Sequence, residues 1–121
     1  MELQKLNRDF AVCKLKSAES IDLNKEFTFA SITDDEISLV CDVSNIPENT
    51  TDVEKGWKGL KIKGILDFSM IGIIAKISAL FAEEKISIFV ISTFNTDYVL
   101  VKKNSYEKAI TVLRTNGYTV V

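Results

Sequence analysis

The stretch Ile86-Ser87-Ile88-Phe89-Val90-Ile91-Ser92-Thr93-Phe94-Asn95-Thr96-Asp97-Tyr98-Val99-Leu100-Val101 contains two strands and the turn between them. Ile86 to Ile91 is nearly all apolar, as a strand covered by helices on at least one face must be. Asn95-Thr96-Asp97 is turn chemistry, and Tyr98 to Val101 is the returning strand. Upstream, Ile71 to Glu84 predicts a helix. Its apolar residues Ile73, Ile77, Leu80 and Phe81 fall at i, i+4, i+7 and i+8, Ile74 widens the stripe, and Ser69 is the expected N-cap. Before it, Trp57 to Leu66 alternates as a strand through Leu60 and Ile62, with a break at Gly64. Downstream, Asn104 or Ser105 caps a second helix with the apolar face Tyr106, Ala109, Ile110 and Leu113. Gly117 stands where a C′ glycine belongs, and Tyr118 to Val121 is a final edge strand. Residues 57–121 therefore spell β-α-β-β-α-β, the ferredoxin-like order of an α+β fold with two helices on one face of an antiparallel sheet.

The first half spells the same order with both helices eroded. Strands are expected at Phe10–Leu15, Phe27–Ile32 and Ile37–Val43, the last two joined by the turn Asp34-Asp35-Glu36. Ser17 to Glu26 holds only the apolar pair Ile21 and Leu23, enough for one helical turn. Asn45 to Gly56, with the single Pro47, reads as a loop or linker. Placing Ala30-Ser31-Ile32-Thr33 over Ile91-Ser92-Thr93-Phe94, an offset of 61, sets Ile37 on Tyr98, Leu39 on Leu100 and Val40 on Val101 without a gap. The expected division is a truncated repeat at 1–56 and a complete one at 57–121.

Composition removes whole classes of chemistry. The chain has 121 residues, 46% of them hydrophobic, and a net charge of −2. A domain this size buries about two-thirds of its unfolded surface, so a true core is available. The charge balance gives no electrostatic reason to expect nucleic acid or an anionic membrane. Histidine is absent, so no His base, His nucleophile relay or His-ligated metal site exists in the chain. Cys13 and Cys41 lie in apolar runs without a CxxC partner, which reads as buried free thiol in a reducing, cytoplasmic compartment, with a disulfide between them as the alternative. No apolar leader follows Met1, and no stretch reaches the roughly 18 apolar residues of a membrane span. No cofactor is expected.

Two stretches resemble a known family. They are Gly64-Ile65-Leu66-Asp67-Phe68-Ser69-Met70-Ile71-Gly72-Ile73-Ile74-Ala75-Lys76-Ile77-Ser78 and the Ile86–Val101 segment. Both are similar to ACT domains, small ferredoxin-like modules that bind amino acids and regulate enzymes. The runs Asp67-Phe68-Ser69-Met70-Ile71-Gly72 and Ser92-Thr93-Phe94-Asn95-Thr96-Asp97-Tyr98 resemble, more narrowly, small bacterial tandem-ACT proteins related to the eukaryotic cytosolic arginine sensor. Met70-Ile71 stands where that subgroup often has a leucine and a small residue. The resemblance implies an ACT fold of two tandem repeats and a ligand held between repeats packed side by side. It also implies a homodimer and a regulated protein partner.

The residues themselves suit such a ligand. Free N–H groups and the positive dipole at a helix start accept a carboxylate, and Asp67 just before it can take an ammonium group. Gly72, read as one turn into the helix, costs about 1 kcal/mol against alanine, tolerable where a ligand or another backbone comes close. The bland alternative is that Asp67 caps the helix and Gly72 packs on a strand. The resemblance favours the binding reading and points to Asp67, Phe68, Ser69, Met70, Ile71 and Gly72 on the loop. It adds Ser92, Thr93, Phe94 and Asn95 at the second strand's end, with Ser31, Ile32 and Thr33 as their repeat partners. Asp34, Asp35 and Glu36 would serve a cationic side chain or form a solvated turn. Two other functions compete: an interaction module without ligand, and a small enzyme resting on carboxylate, lysine or tyrosine chemistry.

Overall fold

A computed structural model describes residues 1–63 and 72–121. The strands are β1 (Glu2–Lys5), β2 (Phe10–Leu15), β3 (Phe29–Ile32), β4 (Ile37–Asp42), β5 (Thr50–Ile62), β6 (Ile88–Ser92), β7 (Asp97–Lys102) and β8 (Thr119–Val120). The helices are α1 (Ile73–Glu83) and α2 (Tyr106–Thr115), and short 3-10 turns occupy Val43–Asn45 and Lys103–Ser105. The chain forms two compact units, Arg8–Trp57 and Met1–Asn7 with Lys58–Val121.

The unit Met1–Asn7 with Lys58–Val121 has the expected ferredoxin-like order β5-α1-β6-β7-α2-β8, with β7 paired to both β6 and β5. One strand joins it that the sequence did not announce. β1 lies antiparallel to β5, with Leu3 opposite Ile62, and parallel to β8, with Leu3 opposite Val120. Leu3 is fully buried and enters the core with Leu60, Ile62, Ile77, Phe81 and Leu113. Burying one such side chain stabilises by about 1.5–3 kcal/mol. The predicted face of α2 holds in full: Tyr106, Ala109, Ile110 and Leu113 are all buried. On α1 the stripe is narrower than expected. Ile77 and Phe81 are buried and Ile73 and Ile74 pack against the core, whereas Leu80 is half-buried at the rim of the stripe and outside that cluster.

Both helices end in the same motif. After α1, Ile86 N–H donates to Phe81 O at 2.8 Å and Lys85 N–H to Ala82 O at 3.0 Å. After α2, Tyr118 N–H donates to Leu113 O at 3.0 Å and Gly117 N–H to Arg114 O at 3.3 Å. These paired closures require a left-handed residue, and Gly117 (φ 89°) supplies it as expected. At the other helix the position is held by Lys85 at φ 58°.

The unit Arg8–Trp57 arranges β3-β4-β2-β5, all antiparallel. The segment expected as loop to Gly56 is a strand from Thr50 onward. It pairs only with β2 in this unit, and 51–55 are exposed, so no apolar alternation betrays it. Between the pairs Val12–Glu54 and Phe10–Trp57 the ladder skips a residue, and Gly56 at φ 86° forms the bulge. The core is small: Ala11, Cys13, Leu15, Leu39 and Cys41, with Ile21, Ile37 and Ile46 packed on it. Cys13 and Cys41 are buried and free, as expected. Burial, then the neighbouring Cys13 thiol, pushes the Cys41 thiol up to about 12, and burial raises Cys13 too.

The two units are repeats, offset by 60 rather than 61. Ile32 pairs with Ile37 as Ser92 pairs with Asp97, and the 3-10 turns at 43–45 and 103–105 follow the same spacing. The correction matters because one residue of slip reverses every face of a strand. At 60, Leu39 and Cys41 fall on Val99 and Val101, all core residues of their own unit.

Candidate functional site

Asp67, Phe68, Ser69, Met70 and Ile71 lie outside the described residues, and so does the Ser69 cap. Gly72 opens α1 as its N-cap at φ 85°, and its carbonyl accepts from Lys76 N–H at 2.9 Å. This corrects the position inferred above: Gly72 precedes the helix instead of interrupting it. A side chain there would meet nothing within 4 Å, so the backbone angle, not a close neighbour, is what demands glycine.

The strand ends form a matched pair. Thr33 N–H donates to Glu36 O at 3.0 Å and Thr93 N–H to Thr96 O at 2.8 Å. The hydroxyls repeat the contact, Thr33 Oγ1 to Glu36 O at 3.2 Å and Thr93 Oγ1 to Thr96 O at 2.9 Å. Thr33 Oγ1 also accepts from the N–H groups of Asp35 and Glu36. Both threonines therefore hold the turns, a role that leaves their hydroxyls committed. The side chains displayed on this common frame differ. The β3–β4 turn carries Asp34, Asp35 and Glu36, with the Ser38 hydroxyl on the Glu36 carboxylate. The β6–β7 turn carries Phe94, fully exposed, and Asn95. Ser31, Ile32 and Ser92 are exposed, with Ile32 the apolar member at the end of β3.

One polar cluster had no signal in the sequence. The Arg8 guanidinium lies 4.6 Å from the centre of the Phe27 ring, 3.4 Å from the Glu26 carboxylate and 3.6 Å from that of Asp42. Phe27 holds φ 55° and meets Phe10 edge-on at 6.3 Å. The N–H and hydroxyl of Ser44, then Arg8, keep the Asp42 carboxyl below its ordinary range. Arg8 and Phe27 are separated by too many residues for any local pattern to join them. An open groove of about 510 Å³ lies elsewhere, beside Lys5, Lys58, Lys63, Tyr106 and Glu107. Among the described residues no three His, Cys, Asp or Glu side chains are grouped to hold a metal. No helix among them is long and apolar enough to cross a membrane.

The family model of the ACT domain matches residues 52–115, more than half of the chain. The chain belongs to the ACT domain family. A crystal structure of an Agobacterium tumefaciens protein is similar to this chain over nearly its whole length. It is 31% identical, covers 99% of this chain and 91% of its own, and superposes with a TM-score of 0.88. A Porphyromonas gingivalis structure described as a candidate C-terminal regulatory domain of aspartate kinase shares the fold at 19% identity and a TM-score of 0.56, covering 93% of this chain and 92% of its own. The aspartate kinase of Clostridium acetobutylicum, described as an allosteric enzyme, shares it at 15% identity and a TM-score of 0.65, covering 90% of this chain and 33% of its own. No curated protein matches the chain. ACT domains are regulatory modules that bind small ligands, and the complete ACT repeat here is the one containing α1 and α2.

Proposed function

We propose that this chain is a non-catalytic regulatory module that binds a free amino acid from the cytoplasm. The loop Asp67–Gly72 entering α1 takes the α-carboxylate and α-ammonium groups. The neighbouring wall is a strand end, Ser92–Asn95 or its counterpart Ser31–Thr33, supplied by a second copy of the chain in a homodimer. The observation that carries this reading is the start of α1. Gly72 at φ 85° opens an 11-residue helix, whose positive end suits a carboxylate. The kinship with the eukaryotic cytosolic arginine sensor is part of the proposal, as are a regulated protein partner and the division of the chain into repeats near residues 56 and 57.

A thermal-shift screen of the twenty amino acids tests it. A ligand at 100 times its Kd stabilises by about 2.7 kcal/mol, a shift of several degrees for a domain this size. Asp67→Ala is expected to abolish that shift with the fold intact. An unchanged shift in the variant would place the site elsewhere. No shift with any amino acid at millimolar concentration would favour the ligand-free interaction module, for which the fully exposed Phe94 beside the uncharged β6 strand is the supporting feature.

A further inference from the structure

We infer that each chain holds one amino-acid site, not two, because the Arg8–Trp57 repeat cannot build the loop half of a second. The inference rests on the amino-acid-binding reading above and fixes its stoichiometry. In the complete repeat, 25 residues (63–87) join the first strand to the second and include α1. In the other repeat the same connection is 13 residues (16–28) and contains no helix. The loss amounts to about the length of α1 and removes the helix end that would face a carboxylate.

Part of what remains is taken up by its own side chains. Asn49 Nδ2 donates to Ser17 O at 3.1 Å and to Ser17 Oγ at 3.2 Å, while the Ser20 hydroxyl donates to Asn49 Oδ1. Ser17 and Ser20, which follow β2 in the place where the ligand loop follows β5, are thus committed to Asn49. The only helical start in this repeat, the 3-10 turn at Val43, already has an anion: Asp42 Oδ1 accepts from Ser44 N–H at 3.0 Å and from Ser44 Oγ at 2.8 Å. The β3–β4 turn of this repeat remains to line a site whose loop comes from elsewhere.

Native mass spectrometry of the full chain, with each of the twenty amino acids added singly at millimolar concentration, tests this. The result expected is one amino acid per chain, hence two per dimer. Two per chain would overturn the inference while leaving the binding reading standing. No bound amino acid in any of the twenty samples would defeat the binding reading and the inference with it. Asn49→Ala and, as a milder variant, Ser20→Ala are expected to change the apparent Kd less than 2-fold. A loss of 10-fold or more in Ser20→Ala, with its melting temperature unchanged, would put this loop in a site and overturn the inference.

Discussion

The two repeats answer the same folding problem with different materials. From β3 to the 3-10 turn after β4 they share spacing, register and turn hydrogen bonds at an offset of 60. Around that common hairpin, one repeat buries its sheet under two amphipathic helices, and the other under two short connections anchored by Ile21 and Ile46. The hairpin is therefore the invariant part of the module, and the helices are the part that gives it a large core and a charged end. Removing helices costs core volume, which the short repeat recovers only in part: its core is Ala11, Cys13, Leu15, Leu39 and Cys41, whereas the helices of the complete one add Ile77, Phe81, Ala109, Ile110 and Leu113.

The largest way to break the comparison is to empty the larger core. Phe81 is fully buried, and Phe81→Ala is expected to cost about 3–5 kcal/mol in urea denaturation. A loss under 1 kcal/mol would mean that α1 contributes little to the stability of its unit.

Alkaline titration separates the two cores by their chemistry. Buried groups whose pKa is raised stay protonated in the folded state at a pH where they ionise in the unfolded one. Stability from them is complete below the unfolded value and is lost as pH climbs toward the folded one. For Cys41 that window runs from 9.0 to about 12, and for Tyr106 from 10.0 to about 12. The short repeat therefore begins to weaken about one pH unit earlier, each thiol adding roughly 1 kcal/mol per pH unit of slope. Urea midpoints between pH 8 and 11 check this, and Cys41→Ala should flatten the first part of the decline. An unchanged slope in that variant would count against the thiol assignment.

The smallest expected effect sharpens the likeness of the two helix ends. Lys85 holds the left-handed position that Gly117 holds in α2. A side chain in that conformation costs about 1–2 kcal/mol, part of which glycine returns through its looser unfolded chain. Lys85→Gly should thus stabilise by about 0.5–1 kcal/mol, and Gly117→Ala should destabilise by about 1 kcal/mol, both read from thermal melts.

Much of this architecture was legible residue by residue. The hairpin was, because a run of apolar residues, a turn and a second run leave few alternatives. The α2 face was, because four apolar residues at helical spacing have only one side to share. β1 was not: Glu2-Leu3-Gln4-Lys5 offers a single apolar residue, and its parallel partner lies at the far end of the chain. The first half of β5 was not, because a strand exposed on both faces has no alternation. At the candidate site, Gly72 stood out in the sequence for a cost it does not pay. Its left-handed angle is a property of the backbone at the start of α1, which residue type alone does not reveal. The repeat offset was missed by one because Ser31 over Ser92 matches a residue type, whereas the faces match at 60.

The most direct measurement is hydrogen exchange of the full chain with and without the amino acid giving the largest thermal shift. The account predicts slowed exchange at the start of α1, Gly72–Lys76, and at the β6–β7 turn, Ser92–Thr96, with no change across Lys16–Thr28. Protection across Lys16–Thr28 with none at the start of α1 would contradict it.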